Sequence, residues 1–560
     1  MKFSYKNITW GILLACSMAS CDLDTTPTNY LPSEDAFKTT ARCESVLNGT
    51  WSSLFTNGST YASIGLGSIM MNDDFAGSDV VRTTSYGYSS SYSLTNGYGR
   101  GEINDMAWDL FYDAINNCNN IIAYIDQAEG SEEDKNIIKG QALATRGYVY
   151  MLLATHYSFG VGNEKYANNA CVPIYTEPTD LNMALTGKPA STVKDVFQRS
   201  LTDLGDAYSL IPDNYNRGIN ATDQYRIDKT VVKGLLARTN LYAGEWQAAY
   251  NYADEAMTAK GKYLMSEEEF KSGFNDATNE EWMWGFSSTL EDNLAAYNFN
   301  FKDCTTEGSY YSCFNVDPFF KEKFEDNDYR KDLFRWGANA GYGEWTMLNY
   351  KFKFADINNG LGDIILMRVA EMFLIKAEAA TYLPGKEGEA QSLLKELRQA
   401  RLKAGNTAAE VTATGDELRE EIWLERRKEL WGEGFSLTDL IRNQKSLERK
   451  NWSHYVECIL NPDGSNSNIP ILDENGELTY ADDKPESYKK ERCTLLQGHI
   501  ASRTVFPDGS EFEPNSKYYL FRIPEQEELQ NANLYTEHPA QRKFPVVSIH
   551  IPVVIHTFVL

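Results

Sequence analysis

The chain has 560 residues, of which 42% are hydrophobic and 24% are charged. This composition is typical of a globular protein, and the length allows a large core without disulfide or metal cross-links. The formal net charge is −26. A chain this acidic repels phosphate groups, which argues against nucleic acid as a partner and against direct adsorption to anionic lipid.

The N-terminus has the pattern of a bacterial lipoprotein signal. Lys2 and Lys6 supply positive charge, Ile8 to Ala15 form a short apolar stretch, and Met18 to Ser20 provide the cleavage context before Cys21. The apolar stretch is too short to span a bilayer. We therefore predict that the mature chain begins at a lipidated Cys21 and is attached to a membrane by its acyl chains.

Two different interpretations of this segment stay open. Cys16, after Leu14 and Ala15, also fits a lipoprotein cleavage pattern, although Cys21 leaves a longer apolar stretch. A plain secretory signal would make Cys21 incidental.

The remaining cysteines and the histidines indicate no metal site and no bound cofactor. Seven cysteines follow Cys21, and an odd number cannot all pair. Cys304 and Cys313 are the closest pair in sequence and could bridge in an oxidising compartment, but buried free thiols are the commoner state. None of the six histidines has a metal-ligand spacing such as H-E-x-x-H.

Four stretches have the apolar spacing of amphipathic helices or helix pairs. They run from residues 104–156, 192–259, 367–403 and 415–443. Ser131 and Asp134 form a capping-box pattern inside the first stretch, and Pro212 closes the first helix of the second. In the fourth, we expect Asp416 to cap the helix and Gly432 or Gly434 to end it.

The segment from Ala237 to Ala256 resembles a tetratricopeptide unit. Small residues stand where two helices would approach closely, and Gly244 marks the turn between them. Lys139-Gly140 and Lys233-Gly234 stand at the start of similar helical segments. This weak internal repeat favours repeated hairpins that stack to bury their apolar faces. We therefore predict a mainly α fold of tetratricopeptide-like helical hairpins, with long irregular loops and a few short strands.

Three long irregular segments separate the helical stretches. They cover residues 77–101, 273–362 and 451–515. Loops of this length in a compact domain usually carry function or are disordered, and the aromatic content of these segments argues against disorder.

Five motifs in order resemble the SusD/RagB family of outer-membrane nutrient-binding lipoproteins. They are C-D-L-D-T-T-P-T with L-P-S-E-D-A-F near the mature N-terminus, W-D-L-F-Y-D-A-I-N-N-C-N-N-I-I (Trp108 to Ile122), M-R-V-A-E-M-F-L-I-K-A-E-A (Met367 to Ala379), E-R-R-K-E-L-W-G-E-G-F-S-L-T-D-L-I-R (Glu425 to Arg442) and Y-L-F-R-I-P-E-Q-E-E-L-Q-N-A-N-L (Tyr519 to Leu534).

The resemblance implies a non-catalytic protein at the exterior of the outer membrane. It implies a partner, a SusC-like TonB-dependent transporter, over which this chain would act as a lid while an oligosaccharide is held between the two. It also implies three regions: a signal peptide over 1–20, an N-terminal region over 21–270 with tetratricopeptide-like helix pairs, and a C-terminal region over 271–560 packed on it as one unit. The apolar tail from Phe544 to Leu560 departs from the family pattern. Two interpretations stay open for it, an extra strand and an aberrant terminus.

Two loops carry the parts of an oligosaccharide site, which are aromatic faces with nearby hydrogen-bonding groups. The first loop lies where the resemblance places ligand-contacting residues, and the second has tyrosines after Gly308-Ser309. The predicted ligand-binding residues are Asp79, Arg82, Tyr86, Tyr88, Asn96, Tyr98, Tyr310 and Tyr311. The alternating Trp282, Trp284 and Phe286 predict a strand with a core-facing side instead.

The sequence leaves different functions open beside glycan capture. A membrane-anchored glycoside hydrolase would need two carboxylates facing a cleft, and Glu421 and Glu425 are four residues apart. Nearby Arg426 and Lys428 favour charge pairing and an internal ion network for these glutamates, and no nucleophile–base pattern is evident. A peptide-binding member of the same family and a purely structural scaffold for the transporter also fit the sequence.

Overall fold

The computed structural model describes residues 36–538, except 59, 61, 84–86, 97–101 and 161–164. Cys21, Tyr86, Tyr98 and the tail 544–560 lie outside the described residues. Within the described residues the chain forms eighteen α-helices and eleven short strands, which confirms the predicted mainly α fold. None of these helices has an apolar run long enough to cross a bilayer.

The elements up to residue 286 are mostly long helices. In chain order they are α1 (Thr40–Thr56), α2 (Gly65–Ala76), β1 (Val80–Arg82), α3 (Ser89–Tyr92), α4 (Glu102–Tyr124), α5 (Glu132–Tyr157), β2 (Ala170–Pro173), α6 (Leu181–Thr186), β3 (Ala190–Thr192), α7 (Val193–Leu210), α8 (Lys229–Ala243), α9 (Trp246–Ala259), α10 (Glu267–Phe270) and β4 (Trp282–Phe286).

The remaining elements include most of the strands. They are α11 (Phe299–Lys302), β5 (Phe314–Val316), α12 (Pro318–Lys321), β6 (Phe334–Ala338), β7 (Trp345–Asn349), β8 (Ile364–Arg368), α13 (Val369–Ala380), α14 (Glu387–Ala400), α15 (Gly415–Glu429), α16 (Ser436–Arg442), β9 (Ser453–Leu460), β10 (Asn466–Pro470), α17 (Glu486–Arg492), β11 (Cys493–Gln497) and α18 (Glu525–Gln530). The strands pair antiparallel as β1–β5, β2–β3, β4–β8, β6–β7 and β10–β9–β11.

Local signals in the sequence explain where several helices begin and end. The Ser131 side chain caps α5 by accepting from the Asp134 backbone N–H at 3.1 Å, as the capping pattern predicts. Asp416 does not cap α15, because that helix begins at Gly415 after the N-cap residue Thr414, which leaves Asp416 in the first turn.

Helices α8 and α9 form the predicted tetratricopeptide-like hairpin. Gly244 ends α8 with a φ of 76°, a left-handed conformation that glycine adopts without steric cost. On α9, Ala249, Ala253 and Ala256 are fully buried, and α9 packs closely between α8 and α13. The small alanine side chains allow this close approach of three helices.

One hydrophobic core includes residues from Phe37 to Phe521. A buried ion pair also links the two predicted regions, since Arg238 on α8 donates to Glu371 on α13 at 2.6 Å. The boundary at residue 270 stays a prediction.

A buried ion network lies where the chain brings α15 against the residues around β8. Glu429 accepts from Arg330 at 2.6 Å, from Arg368 at 2.6 Å and from Arg401 at 2.8 Å. These side chains are almost completely buried, and their partners include Glu425, at 2.6 Å from Arg330. The predicted internal ion network is thus confirmed for Glu425, and Glu429 lies at its centre.

All seven cysteines in the described part of the chain are buried free thiols. Cys304 and Cys313 are among them, so the structure favours free thiols over a bridge between these two residues.

Candidate ligand-binding surface

The pairing of β1 with β5 brings the two predicted ligand-binding loops together. The register places Val80 opposite Val316 and Arg82 opposite Phe314. Beside this ladder, the Asn315 side-chain amide donates to the Thr83 hydroxyl at 2.7 Å. The two loops are more than 200 residues apart in sequence, and this short sheet holds them side by side.

Tyr310 is the most exposed aromatic residue of this surface. Its side chain is 70% exposed, while the neighbouring Tyr311 is half-buried. The backbone N–H groups of Tyr311 and Ser312 both donate to the Asn300 carbonyl at 2.9 Å, which fixes the turn. The loop therefore holds Tyr310 outward on a defined backbone.

Tyr311 connects the surface to the core by ring stacking. Its ring lies 4.5 Å from the ring of Phe301 at an interplanar angle of 16°. Phe301 is fully buried and makes an edge contact with Tyr88 at 5.1 Å. The exposed and half-buried tyrosines thus rest on a rigid aromatic base.

Tyr342 is a third tyrosine on this surface, and it was missed by the sequence analysis. It is 46% exposed, and its backbone N–H donates to the Asn339 side-chain oxygen at 2.8 Å. A Cβ atom on Gly341 would lie only 2.5 Å from the Tyr310 carbonyl oxygen, so glycine is needed where these two parts of the second loop touch. The glycines on both sides of Tyr342 were the available signal. We call Tyr310, Tyr311 and Tyr342 the tyrosine surface.

Tyr88 is not a surface residue, which corrects the prediction of a direct ligand contact. It is 3% exposed, and its hydroxyl donates to the Asn298 side-chain oxygen at 2.9 Å and lies 3.0 Å from the Ser68 hydroxyl. Its ring stacks on Phe75 at 5.1 Å. Burial raises the pKa of the phenol, which keeps it neutral. Tyr88 anchors the first loop to the core.

Asp79 and Asn96 are also buried and engaged by the protein itself. Asp79 forms a paired interaction with Arg427, at 2.7 and 3.0 Å. The Asn96 amide donates to the Asn72 side-chain oxygen at 2.9 Å and to Ser91 at 3.0 Å. Because both side chains are buried and bonded within the protein, they hold the first loop in place rather than face a ligand.

Arg82 is half-buried at the edge of the first loop. Its Nε atom donates to the Gly87 carbonyl at 2.6 Å. Gly87 has a φ of 62°, and a Cβ atom there would lie 2.4 Å from the Phe301 ring. Arg82 thus holds Gly87 directly against the aromatic base. The ligand-binding roles of Tyr86 and Tyr98 stay predictions, because both lie outside the described residues.

Trp282 and Trp284 belong to the core, as predicted, and Trp336 is buried as well. β4 is buried along its whole length, and the Trp284 indole N–H donates to the Tyr225 carbonyl at 2.8 Å. Trp336 stacks on Trp452 at 5.1 Å.

Glu421 and Glu425 on α15, the pair considered for a hydrolase, are both paired with an arginine. Arg398 contacts Glu421 at 2.9 Å and Glu425 at 3.0 Å. Within the described ranges no group of three or more His, Cys, Asp or Glu side chains is arranged to hold a metal ion.

Comparisons with known proteins agree with this architecture. A family model described as "SusD family" matches residues 334–539, and one described as "Starch-binding associating with outer membrane" matches residues 29–241. Two SusD-like proteins of Formosa agariphila, P38 and P2, are 25% and 24% identical over 400 and 467 residues. These alignments cover 61% and 76% of this chain, and 73% and 87% of the relatives.

A solved structure from Bacteroides vulgatus, named as a SusD-like carbohydrate binding protein, is 42% identical with a TM-score of 0.79. The match covers 90% of this chain and 98% of that chain. Identity at this level over nearly the whole relative, together with the two family models, shows the relationship: the chain belongs to the SusD family.

Proposed function

We propose that this chain binds a nutrient oligosaccharide on the tyrosine surface and delivers it to a SusC-like TonB-dependent transporter, over which it acts as a lid. The observation that carries the binding proposal is the 70% exposure of Tyr310 on a loop that the β1–β5 pairing joins to the other predicted binding loop. The name of the 42% identical relative, a carbohydrate binding protein, supports the same ligand class.

The tyrosine surface would bind a sugar through ring faces that are flat, apolar and already ordered. Sugar rings present apolar C–H faces, and aromatic side chains supply a large contact area with few rotatable bonds. Tyr311 is stacked on the buried Phe301, so ordering it on binding costs little further entropy. Phenol hydroxyls and the nearby Arg82 supply hydrogen bonds that orient the sugar.

The membrane attachment and the partner are further parts of the proposal. Acylation at Cys21 would anchor the chain to the outer membrane with the binding surface facing the exterior, in line with the family description that mentions the outer membrane. The transporter partner is inferred from the resemblance to the SusD/RagB family. Co-purification with a TonB-dependent barrel tests that part directly.

The binding proposal is tested with one variant and a matched control. A glycan array on the chain that lacks residues 1–21 identifies a ligand, and calorimetry then compares Tyr310→Ala with Tyr480→Ala, an exposed tyrosine of another segment. We expect about tenfold weaker binding for Tyr310→Ala, since loss of a central aromatic contact costs about 1–2 kcal/mol. Equal affinities in the wild type and Tyr310→Ala would contradict the proposal.

We also propose that binding occurs without bond cleavage. Among the described carboxylates, the pair considered for a glycosidase is held by Arg398, which supports a structural role. Mass spectrometry of the glycan after long incubation with the protein is the test. A product of lower mass would favour the anchored glycoside hydrolase instead.

A further inference from the structure

A groove of about 540 Å³, lined by none of the tyrosine-surface residues, lies between α4, the segment around α6, and α18. This volume is within the range of pockets that hold a ligand of a few rings. Its lining includes three aromatic residues and three carboxylates: Trp108, Tyr112, Tyr175, Asp109, Asp113 and Glu527. We call it the acidic groove.

The aromatic wall of the acidic groove is fixed by contacts within the protein. The ring of Tyr112 lies 4.7 Å from that of Trp108 and 5.8 Å from that of Tyr175. The Tyr112 hydroxyl donates to the Pro173 carbonyl at 2.8 Å, and the Tyr175 hydroxyl accepts from the Lys188 backbone N–H at 3.1 Å. The rings therefore form an ordered platform.

The wall already attracts an ammonium group of the protein. The Lys188 Nζ atom lies 5.2 Å from the centre of the Tyr175 ring, a distance at which the negative face of the ring attracts a cation. An electron-rich wall of this kind suits a positively charged ligand.

The carboxylates of the acidic groove carry negative charge that no cation of the described chain neutralises at close range. Asp109 and Asp113 are one turn apart on α4, and Glu527 comes from α18. No lysine, arginine or histidine nitrogen of the described residues lies within 4.0 Å of these three carboxylates. Glu527 instead accepts from the neutral side-chain amide of Asn531 at 2.8 Å.

The electrostatic environment agrees with this geometry. Partial burial raises the pKa of Asp109, and the nearby charges of Asp113, Asp105 and Glu527 raise it further. Burial also raises the pKa values of Asp113 and Glu527. A cation placed between these groups would relieve their mutual repulsion.

We propose that the acidic groove is a second binding site, which takes the protonated amino-sugar units of an oligosaccharide. The rings would stack on the sugar faces while Asp109, Asp113 and Glu527 pair with the ammonium groups. The half-buried rings of Tyr112 and Tyr175, backed by the buried Trp108, offer more contact to a chain of sugar rings than to a slender lysine side chain. The choice of a sugar rests on the proposed glycan-binding function, whereas the preference for an ammonium group comes from the acidic groove itself.

The test compares two probes that differ in charge. Calorimetry measures the β-1,4-linked trimer of glucosamine and the trimer of N-acetylglucosamine, whose nitrogens are neutral amides. We expect the charged trimer to bind at least about tenfold more tightly at low salt. This preference should fall as the ionic strength rises from about 0.01 to about 1 M, where the Debye length shrinks from about 30 to about 3 Å.

Substitutions test whether the preference for the charged trimer arises in the acidic groove. Asp109→Asn/Asp113→Asn changes two partly enclosed side chains that solvent still reaches, and we expect it to remove the preference for the charged trimer. The control Glu396→Gln/Glu417→Gln removes the same charge from exposed positions outside the acidic groove and should keep the preference. Equal loss in both double variants would overturn the proposal, because diffuse attraction to the net charge of −26 would then explain the binding.

Two further measurements distinguish the acidic groove from the tyrosine surface and a sugar from a peptide. Tyr310→Ala should leave binding of the glucosamine trimer intact, and loss of binding there would place the ligand on the tyrosine surface instead. Trilysine should bind much more weakly than the glucosamine trimer. Equal binding of trilysine would overturn the sugar assignment in favour of a basic peptide, and equal or absent binding of both sugar trimers would overturn the site itself.

Discussion

Tyrosines of similar sequence context have opposite roles in this protein. Tyr88 and Tyr310 both lie in glycine- and serine-containing loops, yet Tyr88 is 3% exposed and Tyr310 is 70% exposed. The difference arises from partners far away in sequence, since the Tyr88 hydroxyl bonds to Asn298 on the other loop. A buried tyrosine thus supports an exposed one through Phe301 and Tyr311.

Replacing Tyr88 should therefore affect stability before it affects binding. We expect Tyr88→Phe to lower the free energy of unfolding by about 1 kcal/mol, because only the hydrogen bonds to Ser68 and Asn298 are lost. Tyr88→Ala should cost about 3–5 kcal/mol, because it also leaves a cavity beside Phe75 and Phe301. Chemical denaturation gives the energies. A large loss of glycan affinity in a fully stable Tyr88→Phe would instead assign Tyr88 to the ligand.

At the scale of elements, the helices were predictable because their signals are local. Ser131 with Asp134 marks the start of α5, and Gly244 marks the turn between α8 and α9. Both depend on residues within one helical turn, so a single sequence contains the information.

The strands and the binding surface were less predictable because their partners are distant. No local sequence pattern predicts that Arg82 lies opposite Phe314 in the sheet. None predicts that Asp79 forms an ion pair with Arg427. The sequence thus predicted which loops are rich in tyrosine. Which of these tyrosines face solvent depends on how the two loops pair in the folded protein. Tyr342 was missed for the same reason. Its place on the binding surface depends on the packing of Gly341 against the Tyr310 carbonyl, a contact between residues distant in sequence.

Two glycines on helical hairpins should respond to alanine with opposite signs. Gly244 has a φ of 76°, so alanine there should lower the free energy of unfolding by about 1–2 kcal/mol. Gly205 lies inside α7 with open space around its Cβ position, so Gly205→Ala should raise that free energy by about 0.5–1 kcal/mol. Thermal or denaturant unfolding measures both. A stabilising Gly244→Ala would contradict the left-handed turn.

At the scale of the whole molecule, Glu429 links distant parts of the chain through charge. It accepts from Arg330 beside the second loop, from Arg368 at the end of β8 and from Arg401 after α14. Such a network specifies one arrangement of these elements, since each buried arginine needs a carboxylate partner. The rigid base of the tyrosine surface belongs to the same hydrophobic core that surrounds this network.

Removing the central charge should therefore destabilise the whole protein. Glu429→Gln leaves three buried arginines short of a partner, and we expect a loss of about 3–5 kcal/mol in the free energy of unfolding at pH 7. Glu421→Gln is the control, because its contact with Arg398 is partly exposed and should contribute no more than about 1 kcal/mol. Similar losses in both variants would argue against a central role for Glu429.

The pH dependence gives a second readout of the same variant. Burial raises the pKa of the Glu429 carboxyl, but the charges of Arg401, Arg368 and Arg330 outweigh burial and hold the pKa well below its usual value. A lowered folded-state pKa stabilises the protein fully above the unfolded pKa of about 4.3, and this contribution is lost as the pH falls through the folded value. The stability difference between wild type and Glu429→Gln should thus be constant near neutrality and shrink only in strong acid. If this stability difference already shrinks between about pH 7 and about pH 5, the interaction of Glu429 with its three arginines is contradicted. The carboxyl would then have to take up a proton above its unfolded pKa.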